Sequence, residues 1–285
     1  MDNDSKSAIL ITGASTGIGE ACALRMDSMG YRVFAGVRRQ SDADALQKKA
    51  SSRLTPIFLD VTDQGQIDAA VHQVSEAVGD IGLHGLVNNA GVAVSGPLEF
   101  LPLTEIRWQF EINLFGQIAV TQAFFALLRK AAGRIVNMSS ISGRVTFPFF
   151  GPYSASKFAL ESFSDALRRE VVPWGMTVSV IEPGSIATPI WDKSLEKSKE
   201  RMSNFPPQAH ALYGHAMQRT EARAMANGRR GVAPEVVAEV VAHALTAPRP
   251  KIRYTVGREA RIAVLLSRYI PDWLMDKITY RATHS

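Results

Sequence analysis

The chain has 285 residues, of which 46% are hydrophobic and 21% are charged. This balance excludes a largely disordered chain, because enough apolar surface is present to offset the entropy lost on folding. The net charge is +5, but lysines and arginines are scattered among acidic residues and form no basic run, which argues against nucleic-acid binding. Cys22 is the only cysteine and the six histidines form no cluster, so we expect neither an internal disulfide nor a metal site.

We expect no membrane-spanning or targeting segment. Residues 1–6 are acidic and short, unlike a signal peptide. The charge-free stretch Ile112–Leu128 carries Asn113, Gln117 and Thr121, and we interpret it as a buried helix rather than a membrane span. The sequence therefore predicts a cytoplasmic protein without an integral membrane segment.

Short runs rich in valine and isoleucine alternate with helical patterns. The predicted strands are Ala8–Thr12, Arg32–Val37, Leu54–Val61, Leu83–Asn88, Arg134–Ser139, Thr177–Ile181 and Arg253–Val256. Helices are predicted at Gly17–Met29, from Ser41 onward, and at Gln64–Val78, Glu105–Arg129 and Tyr153–Val171. Strands that are apolar throughout are buried on both faces, and strand–helix alternation implies right-handed crossovers. We therefore expect an α/β fold with a doubly wound parallel sheet (a Rossmann fold), as a single domain over residues 1–285.

Two segments depart from this alternation. Residues 189–230 are polar, rich in methionine and lysine, and interrupted by Pro206 and Pro207, a pattern typical of a substrate lid or a mobile surface insertion. Residues 258–285 form an amphipathic C-terminal extension. The sequence leaves open whether this extension covers the substrate cleft, lies in a subunit interface or docks on a membrane surface.

Three glycines follow the first strand and open the first helix. Glycine lets the backbone approach a pyrophosphate closely, and a helix N-terminus supplies free N–H groups and a favourable dipole. A structural turn without a ligand is the alternative for such a motif taken alone. The predicted phosphate-binding residues are Gly13, Ser15, Thr16, Gly17, Ile18 and Gly19.

The second strand ends in Val37, Arg38 and Arg39. An NAD-binding site usually places an acidic side chain here for the adenosine ribose hydroxyls. Two arginines instead suit the 2′-phosphate of NADP(H), because guanidinium groups form charge-assisted hydrogen bonds with phosphate. The alternative for Arg38 and Arg39 is an ordinary solvated surface.

Polar and small residues also follow the third and fourth strands. Asp60 and Val61 are predicted to lie beside the adenine, where the carboxylate accepts from the amino group; capping of the next turn is the alternative for Asp60. Asn89, Ala90 and Gly91 are predicted to let the chain run beside the adenosine ribose. The alternative for these three is a strand-ending turn.

Tyr153 and Lys157 are four residues apart and so share one face of a predicted helix. A phenol with a pKa of about 10 is a poor base at neutral pH, and an adjacent ammonium favours the phenolate. Ser139 and Ser140 end the fifth strand, where a hydroxyl can polarise a carbonyl oxygen. Asn113 lies in mid-helix and either bonds a buried backbone group or holds a water in a proton path.

These motifs, in this order and spacing, resemble the classical short-chain dehydrogenases/reductases from about Ala8 to Thr188. The resemblance implies that Tyr153 is the catalytic acid/base, that Lys157 lowers its pKa and holds the nicotinamide ribose, and that Asn113 completes a tetrad. In the family the serine lies thirteen residues before the tyrosine, which selects Ser140 over Ser139.

The resemblance also extends to the segment after the sixth strand, where it implies cofactor contacts. Ile186 is expected to bind through its backbone and Thr188 through its hydroxyl, in a motif that includes Pro183 and Gly184. Many NADP-dependent members carry a basic residue inside the glycine turn, where this chain has Thr16. A preference for NADP(H) therefore depends on Arg38 and Arg39.

Within the family, the chain looks like the branch that acts on retinols and hydroxysteroids. We therefore expect an NADP(H)-dependent oxidoreductase for a lipophilic small-molecule substrate. A 3-ketoacyl thioester or sugar-like ketone reductase, and a nucleotide-sensing protein without catalysis, are the alternatives. Val145, Phe147, Phe149, Phe150 and Trp191 either line an apolar cleft or pack in the core or an interface. The resemblance implies a homodimer or homotetramer packed through the Glu105–Arg129 and Tyr153–Val171 helices.

Overall fold

A computed structural model describes residues 7–188, 197–198 and 200–284. Its centre is a seven-stranded, entirely parallel sheet in the order β3-β2-β1-β4-β5-β6-β7. The doubly wound α/β fold predicted from the sequence is thereby confirmed. The strands are β1 (Ala8–Ile11), β2 (Arg32–Val37), β3 (Leu54–Phe58), β4 (Leu83–Asn88), β5 (Arg134–Met138), β6 (Thr177–Pro183) and β7 (Arg253–Val256).

Helices cover both faces of the sheet. Their bounds are α1 (Gly17–Ser28), α2 (Gln40–Gln47), α3 (Gln64–Val78), α4 (Leu103–Phe110), α5 (Gly116–Lys130), α6 (Gly151–Glu170), α7 (Pro207–Arg229), α8 (Pro234–Thr246), α9 (Arg258–Tyr269) and α10 (Asp272–His284).

The core consists of two apolar layers because successive residues of a strand point to opposite faces. Ile9 and Ile11 pack in one layer with residues of α1 and α8, whereas Leu10 packs in the other with residues of α3 and α5. Cys22 lies in the first layer as expected, and burial raises the pKa of its thiol to about 12. Burial on both faces explains why the strands read as continuous apolar runs.

Several predicted boundaries are wrong, and the sequence analysis does not predict α8 (Pro234–Thr246). The third strand ends at Phe58 rather than Val61, and the sixth continues to Pro183. Glu105–Arg129 is not one regular helix, because a π-helical turn at Glu111–Phe115 separates α4 from α5. Periodicity alone does not reveal such a turn, since buried residues recur every three or four positions through all three pieces.

The stretch Leu103–Lys130 is long and apolar enough to cross a membrane by length and composition, since an 18-residue window within it has a mean hydropathy of 1.3. Half of that window is buried inside the protein. Its polar residues Asn113, Gln117 and Thr121 are also buried and hydrogen-bonded within the protein. These contacts are those of a core helix, as the sequence analysis expected.

The two segments outside the alternation are largely helical. Residues 189–196, which include Trp191 and begin the predicted lid, lie outside the described residues. The rest of the lid is dominated by α7, a 23-residue helix whose Ala209 and Met217 are buried. The C-terminal extension forms α9 and α10, which expose apolar side chains that include Leu265, Tyr269 and Trp273.

Candidate active site

The predicted site residues lie along one edge of the sheet. Strand order reverses between β1 and β4, and in open parallel sheets this reversal leaves a crevice outside the carboxyl ends of the strands. The glycine turn follows β1 directly, and Asn89 follows β4. The motifs of the sequence therefore converge on the crevice.

The glycine turn is closely packed. Gly13 has φ +64° and Gly17 has φ +63°, a backbone region that favours glycine. A Cβ on Gly13 would lie 2.8 Å from the Cα of Ala90, and one on Gly19 would collide with the carbonyl oxygen of Gly13. The backbone angles at Gly13 and Gly17 and the close contacts at Gly13 and Gly19 therefore favour glycine at all three positions.

Asn89 and Thr12 hold the turn against the end of β4. The Asn89 Nδ2 donates to the carbonyl oxygens of Thr12 and Gly13, both at 3.0 Å. The Thr12 Oγ1 accepts from the backbone N–H groups of Asn89 and Ala90, also at 3.0 Å. Sequence reasoning placed Asn89 beside a ribose and did not select Thr12, whose only signal was its position before Gly13.

The N-terminus of α1 fits a dinucleotide pyrophosphate. Thr16 occupies the N-cap position in extended backbone and makes no capping hydrogen bond through its side chain. The first N–H groups of α1 therefore have no side-chain acceptor at the cap and point, with the positive end of the helix dipole, into the crevice. Together with the glycine cradle, this is the arrangement expected where a phosphate binds.

The two arginines after β2 have different partners. Arg38 lies 3.6 Å from the Asp60 carboxylate and is 67% exposed at its side chain. Arg39 forms two hydrogen bonds of 3.0 Å with Asp42 on α2. Arg38 is therefore the freer cation at the predicted adenosine end of the crevice.

Asp60 caps the turn that follows it. Its Oδ1 accepts from the backbone N–H of Thr62 at 3.0 Å and from the Thr62 hydroxyl at 2.7 Å. Burial raises the pKa of Asp60, but the Thr62 hydrogen bonds and Arg38 outweigh burial, and the pKa lies below its usual value. Val61 packs against Gly116, where a Cβ would lie 2.7 Å away. Asp60 therefore caps the next turn, which is the alternative to its predicted contact with adenine.

Tyr153 and Lys157 lie on one face of α6, as their spacing predicts. Lys157 is buried, and its Nζ donates to the Met138 carbonyl oxygen at 2.8 Å. The same Nζ lies 5.9 Å from the centre of the Tyr153 ring. Burial lowers the pKa of Lys157 to about 8, against an opposing effect of the Glu161 charge.

The pKa of Tyr153 lies above its usual value in this structure, whereas the resemblance implies that Lys157 lowers it. Burial raises the pKa of the half-buried Tyr153, and the nearby Ser140 hydroxyl only partly offsets this effect. The sequence reasoning considered the charge of Lys157 but not the loss of water around both groups, which disfavours the phenolate. Tyr153 is therefore a protonated phenol at neutral pH.

The two adjacent serines face different partners. Ser140 interacts with the Tyr153 phenol, and its Oγ also accepts from the Ser142 N–H at 3.1 Å. Ser139 instead lies close to the Glu161 carboxylate, and neither its Oγ nor the Glu161 Oε1 makes a hydrogen bond of good geometry. Only Ser140 is placed beside Tyr153.

Asn113 is fully buried in the π-helical turn and bonds a backbone segment. Its Oδ1 accepts from the Val92 N–H at 2.8 Å, and its Nδ2 donates to the Val92 carbonyl at 2.9 Å and to the Ser156 Oγ at 3.2 Å. Asn113 therefore bonds a buried backbone group, which is the first of its two alternatives. A Cβ on Gly91 would lie 3.3 Å from Asn113 Oδ1 and 3.8 Å from Lys157 Nζ, so Gly91 separates the two side chains.

The segment after β6 is fixed by backbone contacts. The Gly184 N–H donates to the Val256 carbonyl at 2.9 Å, and the buried Ile186 forms a parallel bridge with Val232. Pro183 ends β6, and Thr188 is half-buried at the last described residue before 197. Its predicted contact with the cofactor remains a prediction.

Aromatic side chains connect the region before Tyr153 to α7. Phe149 has φ +66°, an unusual value for a bulky residue, and its ring packs edge-to-face on Tyr213 of α7 at 6.3 Å. Tyr213 also packs on Phe100 at 6.0 Å. Val145 is one of the residues predicted to line an apolar cleft. It is buried in the core and is therefore not free to line one.

Residues 7–199 match the family model described as short chain dehydrogenase. The chain is 40% identical to retinol dehydrogenase 5 of Mus musculus over 280 residues, covering 96% of this chain and 88% of the relative. It is 39% identical to 17-beta-hydroxysteroid dehydrogenase type 6 of Bos taurus over 279 residues, with coverage of 96% and 88%.

A bacterial relative and a solved structure extend the comparison. The NADPH-dependent 3-dehydrocapnine reductase of Ornithobacterium rhinotracheale is 36% identical over 277 residues, covering 95% of each chain. The crystal structure of a short-chain dehydrogenase from Streptomyces avermitilis superposes with a TM-score of 0.77 at 28% identity, covering 99% of this chain and 100% of the other.

Proposed function

The chain belongs to the short-chain dehydrogenase family, and we propose that it uses NADP(H) to interconvert a lipophilic, steroid- or retinoid-like alcohol and its carbonyl compound. The family match and the dehydrogenases among its relatives make it an oxidoreductase that acts on CH–OH groups. The observation that carries the proposal is the grouping of Ser140, Tyr153 and Lys157 at the sheet edge where the glycine turn also lies.

The choice of NADP(H) is supported by charge at the adenosine end. Arg38 is exposed, and its ion pair with Asp60 is long, at 3.6 Å. Its guanidinium can therefore turn toward a 2′-phosphate. No acidic side chain stands at Val37, where an NAD-binding chain usually has one. The NADPH-dependent reductase among the relatives supports the same choice.

We propose that the chain's own residues handle the proton and position the substrate. The bound nicotinamide would supply or accept the hydride. In reduction, the Tyr153 hydroxyl gives its proton to the carbonyl oxygen, and the Ser140 hydroxyl donates a hydrogen bond to that oxygen. The Lys157 ammonium stabilises the phenolate left on Tyr153.

A lipophilic substrate is supported by the aromatic surroundings of Tyr153. Phe149 and Phe150 directly precede α6, and Phe149 packs with Tyr213 from the lid helix. The relatives named retinol dehydrogenase and 17-beta-hydroxysteroid dehydrogenase act on compounds of this class. The alternatives within the enzyme class are a 3-ketoacyl thioester and a sugar-like ketone.

A substrate panel at fixed cofactor concentration tests the proposal. NADPH consumption is followed with a steroid ketone, retinal, a 3-ketoacyl thioester and a sugar-like ketone, and in parallel with NADH. We expect turnover with the steroid or retinal and a preference for NADPH. Turnover only with the thioester or the sugar would select the alternatives, and NADPH binding without any turnover would select a nucleotide-sensing protein.

We further propose a cytoplasmic protein that assembles as a homodimer or homotetramer through α4, α5 and α6. Apolar side chains on these helices and on the π-helical turn between α4 and α5, including Leu103, Phe115 and Phe158, are exposed in the single chain, and burial in an interface would remove them from water. Light scattering coupled to gel filtration measures the assembly, and cell fractionation measures the compartment.

A further inference from the structure

A buried cluster of charges lies behind Lys157, away from the predicted substrate. Its members come from four parts of the chain, and their ion pairs are 3.0–3.5 Å long. The members are Lys157, Glu161, Asp165 and Arg168 from α6, Arg144 from the turn after β5, Glu182 from β6 and Arg253 from β7.

We propose that Glu161 is a positioning residue whose carboxylate, held by Arg253, keeps the Lys157 ammonium charged and in place behind Tyr153. This inference rests on the proposed function, because it assigns Glu161 a role in a reaction that Lys157 supports. Glu161 itself touches neither of the groups proposed to meet the substrate.

The backbone brings Glu161 and Lys157 to one surface. They are one helical turn apart on α6, so their side chains share a face. A Cβ on Gly143 would lie 3.1 Å from both the Glu161 Cγ and the Lys157 carbonyl oxygen, and 2.7 Å from the Ser139 Oγ. The turn after β5 therefore closes directly over this face and excludes water from it.

Arg253 holds the Glu161 carboxylate in position. Its Nε donates to the Glu161 Oε2 at 3.0 Å and lies 3.5 Å from Glu182, which is itself bonded by the Thr255 hydroxyl at 2.7 Å. Burial and the charge of Glu182 raise the pKa of Glu161, whereas Ser139 and Arg253 lower it. The net effect is a pKa of Glu161 above its usual value, and the ion pair with Arg253 limits that rise.

The charge balance gives Glu161 its effect on Lys157. Burial alone disfavours an ammonium, and it lowers the pKa of Lys157 to about 8 even with the Glu161 charge present. The cluster contains four cations and three anions, so removal of the Glu161 charge enlarges the excess positive charge beside Lys157. An unbalanced positive charge lowers the pKa of Lys157 further.

The test compares Glu161→Gln with two controls by two measurements. Glu161→Gln keeps the size of the side chain and removes its charge, whereas Glu161→Asp keeps the charge. Asp165→Asn removes an ion pair of 3.0 Å with the same Arg253 but lies one helical turn farther from Lys157. One measurement is the pH dependence of ketone reduction; the other is NMR titration of 13C-labelled lysine, with the Lys157 signal assigned by its loss in Lys157→Met.

In Glu161→Gln we expect the Lys157 titration midpoint and the alkaline limb of the reduction profile both to move down by about one pH unit or more. One unit corresponds to about tenfold less charged Lys157 on the alkaline side. Glu161→Asp and Asp165→Asn should stay near the unmodified protein. In the unmodified protein, the Lys157 signal should also show a second inflection where the labelled Glu161 carboxyl titrates, a test that requires no variant to fold.

Three results would overturn the inference. The first is a Lys157 midpoint that does not move in Glu161→Gln, or that shows no inflection where Glu161 titrates. The second is an equal movement in Asp165→Asn, which would assign the effect to Arg253. The third is a moved midpoint with an unmoved rate profile. An unmodified protein without any reductase activity would instead contradict the proposed function, while the NMR titration still decides the coupling of Glu161 to Lys157.

Discussion

Arg38 and Asp60 form an ion pair of 3.6 Å between the segments that follow the second and third strands. Sequence reasoning assigned the arginine to a 2′-phosphate and the aspartate to adenine, as independent contacts. The structure shows instead that the two charges partly neutralise each other. A phosphate would therefore have to compete with Asp60 for the guanidinium.

Cofactor preference is expected to depend on Arg38 and not on Arg39. Arg38→Leu should weaken NADPH binding roughly ten- to hundredfold, because hydrogen bonds to a charged group contribute about 1.5–3 kcal/mol. NADH binding should change little. Arg39→Leu is the matched control, since Arg39 is engaged by Asp42. The measurement is the ratio of kcat/KM for the two cofactors in each protein.

Val37→Asp added to Arg38→Leu should move the preference further toward NADH, by repelling the phosphate and accepting from the free ribose hydroxyls. Val37 is only 2% exposed, so the double variant also needs a thermal-unfolding check for the cost of a buried carboxylate. If the unmodified protein already prefers NADH, Arg38 is a surface residue and the absence of a basic residue at Thr16 was the better guide.

Tyr153→Phe should abolish turnover while leaving NADPH binding intact. The change removes only the hydroxyl, and the aromatic ring that packs near Lys157 remains. Turnover is measured with the best ketone of the panel, and binding by the fluorescence of NADPH. Turnover retained in Tyr153→Phe would show that another group delivers the proton.

Ser140→Ala should reduce turnover far more than Ser139→Ala. Ser140 interacts with the Tyr153 phenol, whereas the Ser139 hydroxyl lies beside Glu161. The pair is a close match, because the two residues are adjacent and equally small. Steady-state kinetics of both variants decide the matter, and the reverse order would show that the thirteen-residue spacing selected the wrong serine.

Asn113→Ala should lower the free energy of unfolding by about 1–3 kcal/mol, because it leaves the buried Val92 N–H without its acceptor. Ser156→Ala is the control: it keeps both Asn113 bonds to Val92 and loses the bond of 3.2 Å to Asn113. Urea denaturation measures both. Equal stability of Asn113→Ala and the unmodified protein would mean that Asn113 has no structural role and acts only in the reaction.

Features that depend on residues close together along the chain can be predicted from the sequence. The four-residue spacing of Tyr153 and Lys157 places both on one face of α6, and the glycine turn follows a strand and opens a helix, as its pattern predicts. Alternation of apolar strands and helices sufficed for the parallel doubly wound fold. These features follow from local backbone geometry, which a short stretch of sequence specifies.

The effects of distant residues on these groups depend on how the chain packs. Arg253 reaches Glu161 across 92 positions, and Asn89 reaches the glycine turn across 76. Neither contact has a sequence signal, because each depends on the order in which the strands lie in the sheet. The pKa of Tyr153 also depends on packing. The spacing between Tyr153 and Lys157 can be read from the sequence, but the loss of surrounding water, which raises the pKa, occurs only when the chain packs.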